Sequence, residues 1–66
     1  MEQTMYQKAT DRINKEFNEG KIYGENAYSI HRWALGYITG LLTAHTLTIN
    51  EIETLCDLAN SNLRTF

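Results

Sequence analysis

The chain has no proline, one cysteine, four glycines and six basic residues among its 66 positions. Each scarcity removes a class of explanation. Without proline, helix is permitted almost throughout, and Gly20 and Gly24 become the obvious punctuation. With Cys56 alone, no disulfide can form within the chain. A lone thiol, and a start (Met1-Glu2-Gln3-Thr4) without a basic and then apolar leader, give the expectation of a reducing cytoplasm. Eight acids against six bases leave a formal charge of −2, far from the basic excess of a nucleic-acid domain and from the acidic excess of a DNA mimic. A long hydrophobic run is missing too. Residues 33–50 carry no formal charge, yet Thr39, Thr43, His45, Thr46 and Thr48 interrupt them and Arg32 precedes them, so no membrane span is expected.

What is present is enough for one folded core. Hydrophobic residues make up 42% of the chain and include four tyrosines and a tryptophan, which argues against wholesale disorder. A chain this short is one domain. A core of that size yields only about 3–5 kcal/mol without disulfides, metal or self-association.

Three helices are expected, over about residues 4–19, 25–44 and 48–62. In the first, Thr4 and Gln7 fit a capping box, each side chain satisfying an amide of the other. Met5, Ala9, Ile13 and Phe17 recur every four residues as one apolar stripe, and Gly20 is expected to end the helix as its left-handed residue. In the third, Thr48 and Glu51 form a second capping box, with Leu47 placed to staple onto Ile52. Ile52, Leu55, Cys56, Ala59 and Leu63 then make its stripe. The middle segment is different. Its apolar positions, from Ala27 to Ala44, cover roughly 220° of the helix circumference, about twice the stripe of an ordinary surface helix. It is therefore expected to be central.

The two connections look alike. Phe17, Gly20, Ile22, Ala27 and Ile30 can be laid on Leu42, His45, Leu47, Ile52 and Leu55 at a constant offset of 25, continuing to Ala34 and Ala59. Each reads as a helix end, a residue able to take positive φ, a buried hydrophobe and a new helix. Duplication and a recurring elbow grammar both produce such a pattern.

Gly36-x-x-x-Gly40, extended by Ala44, permits close helix approach, either inside the bundle or across a dimer. Two glycines within a helix cost about 1 kcal/mol each relative to alanine, so a compensating contact is expected. His31 falls in the apolar arc, where the ordinary reading is a core-edge histidine bonded to a backbone carbonyl and the functional one a pH switch. His45 takes the glycine-like elbow position. Neither histidine has zinc spacing to the other or to Cys56, which reads as a buried structural thiol.

Lys8, Arg12 and Lys15 form a basic stripe on the first helix, a candidate contact for phosphate or an acidic partner. Asp11, Glu16 and Glu19 offset it, which makes a solvated face with local ion pairs the ordinary reading. The third helix carries Glu51, Glu53 and Asp57 where a helix-turn-helix would need bases, so sequence-specific DNA binding is disfavoured. No phosphate loop, nucleophile elbow or metal motif occurs, and neither enzymatic activity nor a cofactor is expected.

The sequence therefore reads as an all-α, compact three-helix module, too apolar along its central helix to be fully covered by its two neighbours. That surplus predicts a homodimer or a face kept for a target protein, with Tyr28, Trp33, Gly36, Tyr37, Gly40 and Ala44 as the docking residues. The leading functional expectation is a non-catalytic protein-binding regulator or inhibitor. In size and composition the chain resembles accessory proteins of phages and other mobile elements, which often block a host or defence protein; no motif carries that analogy. The alternatives are a dimeric nucleic-acid-associated module using the basic stripe, and a structural assembly subunit.

Overall fold

Both capping boxes form, and they fix where two of the three helices begin. Thr4 Oγ1 accepts from the Gln7 amide at 3.1 Å while Gln7 Oε1 accepts from the Thr4 amide at 2.9 Å. Thr48 and Glu51 repeat the exchange at 3.2 and 2.9 Å. Each box supplies acceptors for amides that have no partner inside the helix. The computed structural model describes residues 2–66, and it contains α1 (Met5–Tyr23), α2 (Ala27–Thr43) and α3 (Ile49–Arg64). No strand occurs among the described residues. The all-α, three-helix reading holds.

Each helix packs on both others, in a body of 33 × 25 × 16 Å. The core takes Ala9, Ile13 and Phe17 from α1, Ile30, Ala34 and Ile38 from α2, and Ile52, Leu55 and Ala59 from α3. Every helix thus contributes one alanine with no exposed surface, and the three alanines stand 25 residues apart. A residue without side-chain bulk lets neighbouring helix axes come close. Phe66 closes one end of the core by meeting Phe17 edge-on, with ring centres 6.3 Å apart.

The first helix does not stop at Glu19. Gly20 is helical and buried, and the left-handed residue is Gly24, at φ 72°. Gly20 serves packing instead: a Cβ there would run into Ile30 Cδ1 of α2. The extra turn carries Ile22, which is 76% exposed and so is not the buried elbow hydrophobe that the sequence pattern suggested. α2 then starts at Ala27, two residues later than expected, because Asn26 caps it by accepting from the Tyr28 and Ser29 amides.

The second connection fits its expectation better. His45 takes φ 56° and is exposed, and Leu47 is half-buried against the core. The two elbows are consequently unlike, since the offset of 25 matches His45 with a glycine in mid-helix. α3 runs on to Arg64, past Asn62, and this arginine lies in the last turn where a cation suits the helix dipole.

Polar ties join the helices around the core. Asn62 Nδ2 donates to Asn14 Oδ1 at 3.0 Å, linking α3 to α1. His31 Nε2 bonds Asn60 Oδ1 at 2.7 Å, so its partner is a side-chain amide of α3 and not the backbone carbonyl expected. Cys56 is free and half-buried at the core's edge, less enclosed than the sequence implied.

Candidate docking surface on the second helix

α2 carries two apolar stripes about 100° apart around its circumference. The inner one is Ile30, Ala34 and Ile38, all buried. The outer one begins at Tyr28, 73% exposed, and continues with Leu35 at 38% and Leu42 at 40%. These three recur every seven residues, which returns the chain to nearly the same side of a helix. Arg32 and Thr39, both exposed, fall between them at alternating steps of four and three. Such alternation defines a continuous seam along one flank.

The seam offers few groups that resist burial. Thr39 Oγ1 donates to the Leu35 carbonyl at 2.8 Å, and Thr43 Oγ1 to the Thr39 carbonyl at 3.0 Å. Their hydroxyl protons are used within the helix, so covering these side chains strands no donor. Arg32 is the only formally charged residue of α2.

The expected docking residues separate into two groups. Tyr28, Gly36, Gly40 and Ala44 are exposed. Among the described residues, no atom of another helix lies within 4 Å of where a Cβ of Gly36 or Gly40 would stand, so these glycines serve no close approach inside the bundle. Trp33 and Tyr37 go to the other side. They stack on each other at 5.3 Å with planes 8° apart, half-buried against the core. The Arg12 guanidinium of α1 lies over the Trp33 ring. Leu35 and Leu42, absent from the expected set, complete the exposed seam; their spacing of seven from Tyr28 was the available signal.

The basic stripe is largely engaged. Arg12 Nε pairs with Glu16 at 3.1 Å, and Lys15 lies 3.9 Å from Glu19. Lys8 makes no ion pair among the described residues. Beside Trp33, a shallow cleft of about 220 Å³ is lined by Glu16, Glu25, Ser29 and Ile30 as well. Among the described residues, no three His, Cys, Asp or Glu side chains gather as a metal site would require, and no helix is long and apolar enough to cross a membrane. Comparison with known protein families, curated proteins and solved structures returns no match.

Proposed function

We propose that this chain is a non-catalytic protein-binding regulator or inhibitor that docks through the outer seam of α2. The observation that carries the reading is the exposure of Tyr28, Leu35 and Leu42 in one row, on a helix whose separate stripe of Ile30, Ala34 and Ile38 already fills the core. An amphipathic helix normally hides its apolar stripe, and a second, exposed stripe is what helix-in-groove recognition uses. Thr39, between Leu35 and Leu42, leaves no free hydroxyl proton to be stranded on docking. A host or defence protein is the target class suggested by the analogy of size and composition with accessory proteins of mobile elements, and a cytoplasmic setting belongs to the same reading.

The test compares wild type with Leu35→Glu as immobilised baits. Leu35 is 38% exposed and lies outside the buried core, and circular dichroism of both baits checks that the variant remains folded. A protein retained by wild type and lost by the variant supports the reading. Equal retention by both baits, or no retained protein, counts against docking through this seam.

A further inference from the structure

We infer that the outer seam of α2 pairs with the same seam of a second copy, running antiparallel about a twofold axis at the level of Tyr37. This rests on reading the seam as a docking surface, and it names the occupant in the free protein. A target would then compete with the second copy for one face.

Three observations select a second copy in this orientation. The first is spacing. Tyr28, Arg32, Leu35, Thr39 and Leu42 alternate by four and three, the pattern by which two helices interlock side chains over several turns. In an antiparallel pair, Leu35 of each copy meets the small Thr39 of the other, so a large side chain faces a small one twice. The second is polarity, because the threonine hydroxyl in those layers already donates to its own helix.

The third is charge. α2 has no acidic residue in its first turn and no basic residue in its last, so no charged side chain of its own offsets the dipole at either end. Antiparallel pairing sets Arg32 of each copy beside Leu42 of the other, at the carbonyl end of that helix, where the dipole favours a cation. Parallel pairing would set Arg32 against Arg32, and like charges facing each other would oppose it. The seam from Tyr28 to Leu42 is only about 21 Å long at 1.5 Å per residue. An interface this small falls below the standard size, and dissociation in the micromolar range is expected.

The experiment is molar mass by light scattering on the full chain, from low micromolar to about 1 mM, a range that brackets weak interfaces. It is run on wild type and on Leu35→Glu, with circular dichroism to check that the variant remains helical. A wild-type dimer, with the variant's dissociation constant raised at least about 100-fold, is expected from placing a carboxylate in the middle of the seam. Orientation is read in a Cys56→Ser background, where a mixture of Leu35→Cys and Thr39→Cys chains should form the mixed disulfide over either symmetrical one. A wild-type monomer throughout overturns the pairing, as does a dimer indifferent to Leu35→Glu. Preferred symmetrical disulfides overturn the antiparallel arrangement. The bait comparison is read separately: a target lost by Leu35→Glu alongside a monomeric wild type removes the self-pairing and keeps the docking seam.

Discussion

The Arg12 guanidinium lies over the Trp33 indole, 5.5 Å from the ring centre, while its Nε bonds Glu16 at 3.1 Å. One side chain thus joins α1 to α2 by a cation–π contact and braces itself against its own helix. Trp33 in turn stacks on Tyr37. The aromatic pair is a joint of the fold, which decides how its substitution should behave. Trp33→Ala is expected to lose about 2 kcal/mol, below the range for a fully buried tryptophan because this one is half-buried. At roughly 4–8 °C per kcal/mol in a domain this small, melting should fall by about 8–16 °C. A thermal melt followed by circular dichroism checks it, and a shift of a degree or two would refute the joint. Docking is better probed with Leu35→Glu, which spares it.

Gly20 and Gly40 should answer alanine in opposite directions. Both lie inside helices, where alanine is favoured over glycine by about 1 kcal/mol. At Gly40 no atom stands near the new methyl group, so Gly40→Ala should gain most of that. At Gly20 the methyl collides with Ile30 Cδ1 and comes within 3.4 Å of its Cγ1. Ile30 is buried and must leave its packing, which costs about 1–3 kcal/mol and outweighs the propensity gain. Denaturant midpoints of the two variants should bracket wild type. If both rise, Ile30 has room to turn aside and the close approach is unimportant.

His45 holds a left-handed conformation, φ 56°, that costs a residue with a Cβ about 1–2 kcal/mol. The conformation is imposed by the turn between α2 and α3, in which the His45 amide donates to the Leu42 carbonyl and the Thr46 amide to that of Leu41. The exposed side chain contributes no hydrogen bond in return, so His45→Gly removes strain at little loss. Glycine's greater freedom in the unfolded chain takes back part of the gain. A net stabilisation of about 0.5 kcal/mol is expected, visible as a rise in melting temperature. A fall would mean that the imidazole supports the turn.

Local grammar explains which parts of this fold could be read in advance. The Thr4/Gln7 and Thr48/Glu51 boxes are complete within four residues, so the starts of α1 and α3 are written where they occur. The stripes from Ala9 to Phe17 and from Ile52 to Ala59 face inward because periodicity alone decides which side is apolar. Gly20 was misread because a glycine that ends a helix and one that admits a neighbour look identical in sequence. Only Ile30, ten residues away, distinguishes them. The expected docking set divides at Trp33 and Tyr37 for a similar reason: the wide apolar arc of α2 implied surplus surface, but its division depended on where α1 packed. Arg12 settles that division, and it belongs to another helix.

Thr10 offers the last test, because its hydroxyl oxygen is shut away from solvent with no hydrogen-bond partner among the described residues. An enclosed polar atom in that state costs about 1–3 kcal/mol relative to a bonded one. Valine has nearly the same shape and the same branching at Cβ, so Thr10→Val replaces the orphan hydroxyl with a methyl group and leaves helix preference almost unchanged. The variant should be more stable by about 1 kcal/mol, with the midpoint of urea unfolding raised and the slope unchanged. Thr10→Ser makes the opposite control. It keeps the orphan and deletes the methyl, and should be less stable than wild type. A loss of stability in Thr10→Val would show that the hydroxyl is satisfied in solution, by a water bridging it to the backbone, and the site would then count as a wet pocket beside α1.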